Sequence, residues 1–231
     1  MLLALLLAAS AQKPPAHLVV PRSMRKGRDQ EEQFSSFPPL ADPRLAEALG
    51  PLEPHAGAWA EYLVRTKGED DVRLRASILS VLGAGRYWLE MATASESGPP
   101  AATKLLVKGN PAQPRDLERA LLLVAGQQPL EIPLDQLETP DLKSGKLPKV
   151  ERLKPARVRV RAGEFLDAEA LRVGDTRIWR SGKVPLWGLV KVQSPSQTVE
   201  LLSYGLTGAH TVFPPGWGDE PAQGKGSESV K

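Results

Sequence analysis

The sequence predicts an α+β domain: a curved antiparallel sheet of about nine strands forming an incomplete barrel, with one main helix packed on it. Three observations lead there. Val72, Leu74, Ala76 and Ile78 alternate with Arg73, Arg75 and Ser77, the period-two pattern of a strand with one buried face. Leu117, Ala120, Leu121 and Val124 recur at i, i+3, i+4 and i+7, the spacing of one helical stripe. Gly, Pro and Ser gather between the periodic segments, where turns are needed.

At 231 residues the chain suits a single domain with tails. Residues 1–11 are an apolar run ending in Ala9-Ser10-Ala11. They read as a signal peptide, because the run is shorter than the roughly 20 residues that span a bilayer; no Lys or Arg precedes it. Residues 12–56 are rich in proline and read as a linker, with a short helix over 42–49 opened by Asp42 and Pro43 and stopped by Gly50. Its Arg22, Arg25, Lys26 and Arg28 are diluted by Asp29, Glu31 and Glu32, which favours a solvated tether.

The domain itself is read as 57–213. Residues 58–65, 72–78, 86–91 and 103–108 are strand-forming, separated by turns such as Lys67-Gly68-Glu69-Asp70. The helix follows, with Pro114, Asp116 and Glu118 in its first turn and Gly126 as its stop. Leu130, Ile132 and Leu134 alternate, but Pro129 and Pro133 reduce them to an edge or irregular segment. Residues 141–154 read as a surface loop, and 157–162 and 165–173 as strands. Residues 176–205 read as three strands with two turns, a hairpin unit that closes the sheet and bends at Pro185 and Gly188. Residues 214–231 read as a disordered tail.

Several chemistries are excluded or disfavoured. The absence of cysteine removes disulfides, thiolate catalysis and Cys-ligated metals. His17, His55 and His210 have no ligand spacing, so neither a metal nor any other cofactor is expected. There is no Gly-x-Ser-x-Gly elbow, and Ser181 has no base beside it. Nothing fixes the distance between the Glu90, Glu164 and Asp167 carboxylates, and carboxylates on strands are usually solvated; Gly83-Ala84-Gly85 is not followed by a helix that could hold a phosphate. No enzyme is expected. Net charge is only +3, and Arg73, Arg75, Arg157, Arg159 and Arg161 read as a solvated outer face, so no nucleic-acid partner is expected.

The aromatic residues are the remaining lead. Tyr87 shares its strand face with Leu89 and Met91, whereas Trp88 goes with Glu90. If the sheet curves, Tyr62, Tyr87, Leu89, Met91, Leu105, Trp179 and Trp187 line an apolar cavity; the alternative is a plain core.

The elements Trp59-x-Glu-Tyr, Tyr-Trp-Leu-Glu at 87–90, Lys-Leu-Leu-Val-Lys-Gly at 104–109 and Ile-Trp-Arg-Ser-Gly-Lys-Val-Pro-Leu-Trp-Gly-Leu-Val-Lys at 178–191 resemble exported bacterial proteins of the outer-membrane lipoprotein-carrier (LolA/LolB-like) superfamily. The resemblance implies an incomplete antiparallel barrel whose helices close an apolar cavity for acyl chains. The expectation is an exported, periplasmic or secreted, non-enzymatic domain. It binds a lipid or other hydrophobic ligand between sheet and helix, without spanning the membrane. The alternative is a structural module of the cell envelope that binds a protein partner.

Overall fold

The computed structural model describes residue 49 and residues 52–111, 114–134 and 149–218. The signal-peptide reading, the linker up to residue 48 and residues 219–231 lie outside these. Of the short helix expected over 42–49, Leu49 alone is described; it is helical and buried.

Twelve strands follow one another: β1 (Trp59–Thr66), β2 (Val72–Val81), β3 (Arg86–Ser95), β4 (Ala101–Lys108), β5 (Leu117–Val124), β6 (Leu130–Glu131), β7 (Val150–Arg152), β8 (Ala156–Val160), β9 (Gly163–Val173), β10 (Thr176–Arg180), β11 (Leu189–Gln193) and β12 (Gln197–Gly205). They form one antiparallel sheet in the order β6-β5-β4-β3-β2-β1-β12-β11-β10-β9-β7, with β8 paired to β9. The first and last strands therefore meet in the middle of the sheet. β6 and β7, consecutive in sequence, lie at its two ends, and the sheet does not close.

The fold is all-β, and the α+β expectation is corrected at residues 114–126. Pro114–Asp116 is a single 3-10 turn, and Leu117–Val124 is a strand paired with β4 on one side and β6 on the other. From Leu52 onward the described residues contain no α-helix. The misleading periodicity has two physical causes. A bulge lets Leu117 face Val107 and Ala120 face Leu105, so residues three apart share a face, as they would on a helix. Both faces of β5 are also covered: Leu117 and Ala120 join the main core, while Leu121 joins a second cluster behind it. Apolar residues on both faces blur the period of two.

The inner face of the sheet carries the main core. Ala60, Tyr62 and Val64 of β1, Leu74, Ala76 and Ile78 of β2, and Tyr87, Leu89 and Met91 of β3 are all buried in it. Burying about a methylene's worth of such surface is worth about 0.8 kcal/mol, so this face dominates stability. Bulges in the β1–β12, β2–β3, β4–β5, β8–β9 and β10–β11 ladders bend the sheet around it. The β8–β9 hairpin turns back over the sheet. At its tip Ala162 N donates to Leu201 O (3.2 Å) and Arg161 N to Glu200 Oε1 (3.1 Å).

Candidate functional site

Six of the seven residues expected to line a cavity are gathered in the inner core: Tyr62, Tyr87, Leu89, Met91, Leu105 and Trp187 are buried together. Trp179 is half-buried at its margin, with Lys191 Nζ 5.9 Å from its ring centroid. The cover over this face is not the helix expected at 114–126. It includes Leu49 and Leu52 from the N-terminal side and Val184, Leu186 and Trp187 from the loop joining β10 to β11. A β-bridge between Glu53 and Leu186 ties the two together.

That loop is held in an unusual backbone. Leu186 has φ 65°, a left-handed conformation uncommon for a large side chain. Gly188 is also left-handed, and a Cβ there would sit 3.0 Å from Ser181 O. Ser181 N donates to Gly188 O (2.7 Å), Val184 N to Ser181 O (3.1 Å), and Arg180 Nε to Trp187 O (3.1 Å). The strain is balanced by the burial of Val184, Leu186 and Trp187. Ser181 Oγ accepts from Lys183 N at 3.3 Å; its role is to shape the turn.

The two inner tyrosines differ in one respect. Tyr87 Oη donates to Gly109 O at 2.9 Å, whereas the Tyr62 hydroxyl is buried without a hydrogen-bond partner. Burial pushes the ionisation of both far above the ordinary tyrosine value, with Asp116 adding to the effect at Tyr87. An unpartnered buried hydroxyl costs about 1–3 kcal/mol, so Tyr62 is the polar anomaly of this apolar face.

The outer face holds what sequence reasoning missed. Glu90 and Lys104 stand opposite each other on β3 and β4, each almost wholly buried. The segment after β12 crosses over them. Glu90 accepts from Thr211 Oγ1 (2.5 Å) and Val212 N (3.1 Å), and Lys104 Nζ donates to Trp217 O (2.8 Å). Phe213 and Trp217 pack with Trp88, Leu106 and Leu121. Burial raises the Glu90 carboxyl above its ordinary value; Thr211, Val212, Lys104 and His210 each pull it back. The sequence did carry a signal: Leu106, Leu121 and Leu123 share a face with Trp88 and Glu90, so this part of the sheet is apolar on both sides.

Two clefts flank the crossing segment. One of about 360 Å³ is lined by Leu79, Trp88, Lys104, His210 and Thr211 among others. The other, about 400 Å³, runs past Arg73, Arg75, Ala92, Ala94, Leu123 and Val212. None of the seven expected ligand residues lines either cleft. The arginines do not form one stripe. Arg157 is paired with Glu164 (2.6 and 2.8 Å) on the β8–β9 hairpin, whereas Arg73 and Arg75 lie on β2. Glu90 and Glu164 are likewise on β3 and β9, which are not neighbours. Among the described residues no three His, Asp or Glu side chains are grouped as metal ligands, and no helix is long and apolar enough to cross a membrane.

Comparison with protein-family models, with curated proteins and with solved structures finds no match for this chain.

Proposed function

We propose that this is an exported, non-enzymatic domain that binds a lipid or other hydrophobic ligand against the inner face of its sheet. The observation that carries the reading is the buried, unpartnered hydroxyl of Tyr62 among Tyr87, Leu89, Met91, Leu105 and Trp187. Native interiors pair their polar groups, and an amphiphile whose polar atom reaches Tyr62 supplies the missing acceptor. Apolar walls with one placed polar group are the usual make-up of a small-molecule site. Entry would be through the strained loop carrying Leu186 and Trp187, which replaces the helical lid first expected. The likeness to lipoprotein carriers and the apolar run at residues 1–11 agree with this reading. An envelope module that recruits a partner strand is less favoured, because the edge strands β6 and β7 are two and three residues long.

Native mass spectrometry of protein recovered from the cell envelope tests it. The expected result is a mass excess over the bare chain, with an extractable lipid. Tyr62→Phe should retain clearly less of that lipid while leaving the emptied protein equally stable, or steadier by about 1 kcal/mol. A bare-chain mass together with no displaceable apolar dye overturns the proposal.

A further inference from the structure

A cluster of unusual side chains lies on the outer face, distinct from the inner core. Its centre is Arg75 on β2. The guanidinium carbon sits 4.2 Å from the centroid of the Trp59 ring, a cation–π contact that fixes the side chain. Trp59 is itself held: its Nε1 donates to Thr207 O (3.0 Å), and Gly205 leaves the room it occupies, since a Cβ there would lie 2.6 Å from Trp59 Nε1. Arg75 Nε is buried with no hydrogen-bond partner. Glu61, directly across the β1–β2 ladder from Arg75, points its carboxylate elsewhere. It accepts from Ser203 Oγ (3.2 Å) and pairs with Arg73 at 3.9 Å. Arg75 is thus a pre-oriented guanidinium with no carboxylate paired to it among the described residues.

The sheet register extends this charge into an apolar trough. Arg75 stands opposite Ala92, Ala92 opposite Ala102, and Ala102 opposite Leu123, a straight row across β2, β3, β4 and β5. Beside it Arg73 stands opposite Ala94. Three strand spacings make the row roughly 14 Å long. The alanines are small enough to leave a groove above them, and the cleft of about 400 Å³ lies there, walled by Leu123, Pro100 and Val212. Glu61 also lines the cleft, its carboxylate engaged by Ser203 and Arg73; with two arginines at this end and an apolar floor at the other, the cleft is the complement of an anion with a single hydrocarbon tail.

We propose that this row binds a single-chain amphiphile with a carboxylate head. The carboxylate accepts from the terminal amino groups of the Arg75 guanidinium, the fork that a guanidinium offers a carboxylate. Arg73 adds charge at the solvent edge. The tail lies over Ala92 and Ala94 toward Leu123, and Val212 covers its flank.

Dodecanoate is the probe, with dodecanol as the neutral chain of equal length, titrated into the full-length protein by calorimetry and by NMR of the arginine Nε–H resonances. Dodecanoate should bind at least tenfold tighter than dodecanol and move the Arg75 resonance. Arg75→Gln should abolish that preference, and Ala92→Leu, which fills the groove, should weaken dodecanoate at least tenfold with Arg75 intact. If Arg75→Gln does not fold, the resonance and Ala92→Leu decide. Equal affinity for the two probes, or an unmoved Arg75 resonance, overturns the assignment. Tyr62→Phe should leave dodecanoate binding here unchanged. If Tyr62→Phe alone weakens it, the outer row is wrong while the inner-face proposal stands; a bare-chain mass from the envelope leaves the outer row unaffected.

Discussion

Glu90 is a carboxylate that folding places where its charge is costly. Burial is the largest influence and raises its pKa above the ordinary 4.5, against the opposing pull of Thr211, Val212, Lys104 and His210. Its protonated form is therefore held more tightly by the folded chain than by the unfolded one. Its contribution to stability is complete below about 4.5 and is lost as pH rises through the higher folded value. Glu90→Gln removes that loss while keeping an acceptor for Val212 N. Urea unfolding midpoints of both proteins at acidic and neutral pH should diverge, the native protein weakening relative to Glu90→Gln as pH rises. Parallel curves would show that Glu90 is not held as described. At this scale the sequence was informative about sides: it put Trp88 with Glu90 and Tyr87 with Leu89 and Met91, as the structure does. It was silent about depth, because the cover over Glu90 and Lys104 comes from Thr211, Val212 and Trp217, more than a hundred residues away.

Among elements, the strands with one wet face were legible and those with two dry faces were not. β2 carries Arg73 and Arg75 on its outer face and turns Leu74, Ala76 and Ile78 to the core, so alternation survives in the sequence. The three strands β10, β11 and β12 fall within residues 176–205, as their turn residues indicated. β7 is not legible in the sequence, because three residues are too few to show a period. β5 carries the periodicity of a helix because its bulge at Glu118 spaces Leu117 and Ala120 by three. The bulge provides a test. Deleting Glu118 leaves Leu117 opposite Val107 and Ala120 opposite Leu105. It removes only a partly exposed ion pair with Arg86 at 3.5 Å, so thermal unfolding followed by circular dichroism should report a cost of about 1 kcal/mol or less. Deleting Leu121 empties a buried site and turns one side of the strand over, which should cost about 3 kcal/mol or more. Equal costs would contradict the strand register.

For the whole molecule the decisive fact is the strand order. β1–β6 and β7–β12 are two consecutive halves, joined by the connection between Leu134 and Lys149 at the outer ends and by the β1–β12 ladder at the centre. A protease site placed in residues 141–146 should allow the connection to be cut with the halves still bound to each other. They should co-elute in size-exclusion chromatography at the mass of the uncut protein and separate only in denaturant; separation in buffer would show that the central ladder and shared core do not suffice. The same order has a consequence for how the protein is made. Contacts such as that of Trp59 with Thr207 join residues 148 positions apart, and such non-local pairing is slow to form. As the polypeptide leaves the ribosome, β1 to β6 can assemble, but the free side of β1 stays open until β12 emerges. β12, the last of the twelve strands in chain order, is the keystone of the sheet. Until it arrives, the nascent half presents an unpaired edge beside an uncovered apolar face, the kind of surface on which chaperones act and from which aggregation starts.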